Sequence, residues 1–143
     1  MPRRRIRHYQ YYWGSFTLEW FRELRNSDLG GPDFRVLFFL CENMKQEDNI
    51  AYLKQKEIAS RLHMDRGNVS KCIKRLYSVQ FIAKCENGFM INPHLFSVGH
   101  TYRPNREDLR EKFNDLLNTA PFYEVNEDEF ILEVHTNDEN DEV

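Results

Sequence analysis

A chain of 143 residues that is 41% hydrophobic and 14% aromatic has room for one domain with a real core and is too apolar for a disordered protein. No apolar run reaches the roughly 18 residues a bilayer-crossing helix needs, and no apolar signal region follows the basic N-terminus, so the expectation is a cytoplasmic chain with no membrane partner. The net charge of −3 conceals a split: residues 1–112 hold all 20 Lys and Arg against 13 Asp and Glu, a net +7, while residues 113–143 hold 10 acids and no Lys or Arg, a net −10. A basic body suits a polyanion and an acidic tail would repel one. Cys41, Cys72 and Cys85 are odd in number and dispersed, so they read as buried thiols rather than a disulfide or zinc site.

Residues 1–14 form a basic aromatic arm. Arg3, Arg4, Arg5 and Arg7 precede Tyr9, Tyr11, Tyr12 and Trp13, and Arg3, Arg4 and Arg5 are candidates to track phosphates or enter a minor groove. The aromatics read as packing anchors. Ser15 or Thr17 is expected to cap a first helix running to about residue 27, with Leu18, Phe21 and Leu24 at helical spacing. Pro32 opens a second helix with Asp33 near its positive end. Phe34, Val36, Leu37, Phe38, Leu40 and Cys41 make that helix apolar nearly all round, which marks it as the buried central one. The polar run 46–49 breaks it, and residues 50–52 are expected as a single strand that pairs with a later hairpin.

A third helix is expected over 55–63, with Ile58, Ala59 and Leu62 inward and no Ser, Thr or Asp at its start. Asp65 caps a fourth over 66–78. Strands at 81–83 and 89–91 flank Asn87-Gly88, the signal for a type I′ turn. Helix, turn, helix and hairpin in that order make a winged helix-turn-helix, so the fold class is α+β and mostly helical, with a short hairpin wing. Asn105 is expected to cap an added C-terminal helix over 106–118. Its stripe of Leu109, Phe113, Leu116 and Leu117 either docks on the body or pairs with a second copy, which would make a homodimer. Residues 130–132 could form a strand or docking segment in the acidic tail, and 136–143 are expected to be disordered. The resulting divisions are an arm at 1–14, a winged-helix DNA-binding domain at 15–100, a linker and amphipathic helix at 101–120 and an acidic tail at 121–143. That tail is either a solubilising segment or a DNA mimic folded back on the basic face.

On the fourth helix, Val69, Ile73 and Leu76 share one face at about 100° per residue, with Cys72 beside it. The opposite face carries Gly67, Asn68, Lys71, Lys74, Arg75 and Ser78, with Arg66 and Ser70 on the flanks. A solvated amphipathic surface is the bland reading of such a face. Three cations and no acid favour contact with double-stranded DNA instead. Asn68 can pair bidentately with adenine, and Arg66 or Lys71 can read guanine. Gly67 lets the backbone approach a groove wall, while Lys74 and Arg75 suit phosphates. Lys84 and Glu86 offset each other near the wing tip, leaving Lys84 for at most a phosphate contact. His63, His94 and His100 lack ligand spacing, and there is no phosphate loop or nucleophile elbow, so neither an enzyme nor a cofactor is expected.

The stretch 34–99 resembles the RepL-type plasmid replication proteins, a winged-helix family of mostly Gram-positive bacteria. The likeness is carried by Lys56-Glu57-Ile58-Ala59, by Val69-Ser70-Lys71-Cys72-Ile73-Lys74-Arg75-Leu76, by Phe81-Ile82, and above all by Asn87-Gly88-Phe89-Met90-Ile91-Asn92-Pro93 with Phe96 and Gly99. The resemblance implies a DNA-binding initiator or maintenance factor that recognises its replicon's origin, helps host replication proteins assemble there, and has no catalytic activity of its own. A transcriptional regulator on the same fold, or a protein-interaction adaptor, are the alternatives.

Overall fold

Apolar on nearly every side, the helix that follows Pro32 becomes the centre of the molecule. A computed structural model describes residues 14–98 and 103–135; Arg3, Arg4, Arg5, the aromatics at 9–13, His100 and the segment 136–143 lie outside them. In it α2 (Gly31–Glu42) buries Val36, Leu37 and Leu40 completely. Pro32 falls in its first turn, where the missing N–H breaks no helical bond. α3 (Gln55–Leu62) and α4 (Arg66–Ser78) pack against it through Ile58, Ala59, Val69, Cys72, Ile73 and Leu76. α3 begins without a Ser, Thr or Asp cap, as expected, and Glu57 accepts the Lys54 N–H instead (3.4 Å). His63 closes α3 in the left-handed region at φ 53°, and two residues later Asp65 caps α4 by accepting from the Gly67 and Asn68 amides (3.0 and 3.3 Å). The turn between the helices is therefore short and tied at both ends.

A three-stranded antiparallel sheet of order β2-β4-β3 follows from Ile50–Ala51, Gly88–Ile91 and Ile82–Cys85. The isolated strand at 50–51 pairs with the hairpin, as its pattern predicted. The hairpin turn differs from the expected one. Cys85 pairs with Gly88, so the loop is Glu86-Asn87, and neither residue has the positive φ that a type I′ turn demands. Gly88 has another use: a Cβ there would run into the Ala51 carbonyl oxygen of the adjoining strand.

The N-terminal side also departs from expectation. Ser15 and Thr17 cap nothing, because Gly14–Phe16 forms a strand, β1, paired with β5 (Phe96–Val98). Thr17 donates its hydroxyl to the His94 carbonyl (2.8 Å), and α1 starts only at Glu19 and runs to Asn26. Tertiary pairing has taken residues that local propensity offered to the helix.

At the other end α5 spans Arg103–Leu116, three residues earlier than the Asn105 cap implied, with Pro104 accommodated in the first turn. Its stripe docks on the body: Leu109 and Phe113 are buried against Ala83 and Met90, flanked by Leu116 and Leu117. The acidic segment is more than an appendage. β6 (Tyr123–Asn126) and β7 (Ile131–Val134) form a hairpin, and buried Tyr123 joins the main core beside Phe81. Among the described residues there are thus five helices and three small antiparallel sheets, an α+β arrangement. No helix in it is long and apolar enough to cross a membrane.

Buried polar side chains fasten these pieces. Asn49, at φ 59°, donates to the Ile91 and Phe96 carbonyls (3.1 and 2.8 Å). Asn92 donates to the Gln80 carbonyl (2.7 Å) and accepts from the His94 amide (2.9 Å). Gln80 donates to Ala120 O (3.0 Å) and accepts from the Phe122 amide (2.7 Å). The His94 Nδ1 accepts from the Val125 amide (3.1 Å), which leaves the proton on Nε2, facing the Asn114 Oδ1 (3.1 Å).

Burial pushes His94 down to about 4. The unfolded chain takes up the proton near 6.5, so His94 stabilises the fold fully above that pH. That contribution, on the order of 3 kcal/mol, is lost as pH falls from 6.5 toward 4. Urea unfolding across that range should show the loss in wild type and a flatter profile in His94→Gln; identical profiles would place His94 in solvent. Phe113→Ala should lower stability by about 3–5 kcal/mol in the same assay, whereas a loss under about 1 kcal/mol would mean that α5 is not packed on the sheet.

Candidate nucleic-acid interface

The α4 core positions Val69, Cys72, Ile73 and Leu76 fully inward, which turns the opposite side of the helix to solvent. Arg66, Gly67, Asn68, Lys71 and Lys74 are exposed on it, and Ser70 is half-buried at its edge. Lys71 and Lys74 make no ion pair with another described residue. The Asp65 carboxylate at the head of the helix is turned onto the Gly67 and Asn68 amides, so its charge is held at the backbone. The result is a cationic, donor-rich helix face about three turns long, of the size a major groove admits. Lys84 is exposed on β3, with exposed Glu86 close to it in sequence.

Arg75 differs from its expected role as a free phosphate ligand. Its Nε donates to both oxygens of Asp33 (2.9 and 3.0 Å), and its Nη2 lies 3.8 Å from the Cys72 sulfur. The Asp33 side chain is 4% exposed and that of Arg75 is 49% exposed. Burial alone would raise the Asp33 carboxyl, but the Gly30 amide (3.0 Å) and the Arg75 guanidinium together hold it below its usual value. This pair bolts the start of α2 to the last turn of α4. Sequence reading assigned Asp33 to the helix dipole alone, and nothing in the chain pattern links two residues 42 positions apart.

The remaining arginines of the basic body are placed elsewhere. Arg103, Arg106 and Arg110 project from one side of α5 onto the turn of the β6–β7 hairpin. Glu127 receives Arg103 Nε (2.9 Å), Arg106 Nε (2.9 Å) and Arg110 Nη1 (3.0 Å), while Asp128 receives Arg103 Nη2 (2.7 Å). The hydrogen bond from Arg106, opposed by partial burial and reinforced by Arg110, holds the Glu127 carboxyl below its usual range. The described part of the acidic segment therefore neutralises α5 and leaves the α4 face open.

One grouping of metal-type ligands occurs among the described residues: Glu124, Glu133 and His135, with ligand atoms within 4.8 Å of one another. It lies on the solvent side of the hairpin, where the His135 ring sits 3.3 and 3.6 Å from the two carboxylates. That geometry is a surface contact between an imidazole and two carboxylates.

A family model described as Firmicute plasmid replication protein (RepL) matches residues 10–127. The match takes in every element from β1 to β6 and extends past the 34–99 stretch that carries the sequence resemblance. No curated protein and no solved structure matches the chain. With most of its length matched, the chain belongs to the RepL family of Firmicute plasmid replication proteins.

Proposed function

We propose that this protein binds double-stranded DNA at its replicon's origin, that the unit from α2 to β4 acts as a winged helix-turn-helix, and that α4 enters the major groove. The observation that carries the reading is the α4 face itself. Arg66, Asn68, Lys71 and Lys74 are exposed together on a helix whose other side is fully buried, and of the described acids that bond to this helix Asp65 is committed to its cap and Asp33 to Arg75. Membership of a plasmid replication family supplies the biological setting. Arg66 and Asn68, in the first turn, are placed to meet base edges, while Lys71 and Lys74 further along can reach a base or a phosphate. The tip at Lys84 adds one phosphate contact, since both faces of the sheet behind it are largely covered by packing. Bound at the origin, the protein would present the remainder of its surface to host replication proteins.

Packing of the α5 stripe within one chain removes the route to a homodimer that the sequence offered. If two copies read paired half-sites, another surface joins them.

Binding of the full-length protein to an origin duplex, followed by fluorescence anisotropy over a range of salt, tests the reading. Lys74→Gln should weaken binding on every duplex and lower the salt slope by about one. Asn68→Ala should cost about 1–3 kcal/mol on the origin duplex and little on an unrelated one. In cells, either variant should lower plasmid maintenance. Wild-type affinity and salt slope in both variants would remove α4 from the interface.

A further inference from the structure

Between the start of α2 and the outer side of α4 lies an open cleft of about 490 Å³, bordered by Pro32 and Arg35 on α2, His63 in the turn, and Asn68 and Arg75 on α4. Its chemistry is one-sided. Arg35 is exposed and makes no ion pair with another described residue. The Asp65 carboxylate on the rim is already occupied by two backbone amides. Arg75 is the unusual member. A guanidinium has five N–H donors in a planar fork, and the buried Asp33 engages it through Nε. The Nη1 amino group has no acceptor among the described residues, and half of the side chain remains open to solvent.

An arginine held this way is oriented rather than consumed. Its plane is fixed by a carboxylate that is itself anchored by the Gly30 amide at 3.0 Å, and it lines the cleft together with Arg35. On the reading that α4 meets DNA, on which this depends, we infer that the cleft seats one backbone phosphate between Arg75 and Arg35, with Asp33 as the positioning residue that aims Arg75. A phosphate has the acceptor geometry for the free Nη edge, and holding the fork in place beforehand reduces the entropy lost on contact.

The sign of one substitution separates this from a purely structural ion pair. Asp33→Asn removes a negative charge from the DNA-facing side. If the pair merely ties α2 to α4, or withholds Arg75 from DNA, the change adds net positive charge and frees an arginine, so binding should tighten and grow more salt-dependent. If Asp33 aims Arg75, binding should weaken by about tenfold despite the added positive charge. The experiment measures affinity of the full chain for its origin duplex across salt concentrations. Asp33→Asn, Arg75→Gln, their double variant, Arg75→Lys and Arg35→Gln are compared, with thermal melts confirming that each is folded.

The expected results are weaker binding in Asp33→Asn, no further loss when it is added to Arg75→Gln, and a salt slope lower by about one in Arg35→Gln. Arg75→Lys keeps the charge but not the fork, so it should bind as poorly as Arg75→Gln; this variant carries the test should Asp33→Asn fail to fold. Binding as tight as wild type in Asp33→Asn or in Arg75→Lys overturns the inference. Lys71→Gln serves as the control: if it weakens binding while Asp33→Asn tightens it, only the phosphate seat falls, and if it has no effect the recognition-helix reading falls as well.

Discussion

Burial of the β2-β4-β3 sheet on both sides is the constraint from which the rest of the molecule follows. One face is closed by α2, α3 and α4, the other by Leu109 and Phe113 of α5. The second face carries apolar Ala83 and Met90, so keeping it from water requires the α5 stripe. That requirement settles which helix faces are left for function. Among the described helices, α5 presents its arginines to the acidic hairpin, α2 turns its core positions inward while leaving Arg35 and Phe38 exposed, and α4 offers solvent a face whose exposed residues from 66 to 75 include no acid. The β3–β4 hairpin is thereby a supported platform, with Lys84 and the Glu86-Asn87 turn exposed.

Charge is distributed by the same packing. A net +7 body and a net −10 segment attract each other where they meet. They meet at one place among the described residues, where Glu127 and Asp128 close over Arg103, Arg106 and Arg110. Three of the body's cations are thereby neutralised far from the α4 face. Of the described cations left over, Lys56 and Arg61 are on α3, Arg66, Lys71 and Lys74 on α4 and Lys84 on β3, all exposed, and a polyanion would be steered toward such a group.

Much of this was legible in the sequence where a local rule and the tertiary environment agree. Asp65 as a cap and the Val69–Ile73–Leu76 spacing fixed α4 to its observed ends, because the same residues that nucleate the helix also bury it. The strand at 50–51 and the central α2 were equally plain. Illegible parts rest on contacts between distant residues. β1 is three residues long with no period to read, and it exists only because residues 96–98 wait to pair with it. Asn49, Gln80 and Asn92 look like loop residues in sequence. In the fold they are buried donors and acceptors that satisfy the carbonyls and amides of those loops, and Asn49 and Gln80 do so from left-handed backbone. The Ile91-Asn92-Pro93 run that marks the family likeness thus has a physical basis: Asn92 ties the end of the sheet to Gln80 and to His94. On the candidate interface, the exposed α4 residues were read correctly as a face. The partner of Arg75 was not, since a carboxylate 42 residues upstream leaves no trace in periodicity.

The central claim is that the α4 face reads a defined DNA sequence. Selection of bound duplexes from a random pool, carried out with the full-length protein, tests it most directly. The account predicts one enriched sequence that also occurs at the replicon's origin, and loss of that enrichment in a Lys71→Gln, Lys74→Gln variant that remains folded. Recovery of no common sequence by the wild-type protein, or the same sequence recovered by the variant, would contradict it.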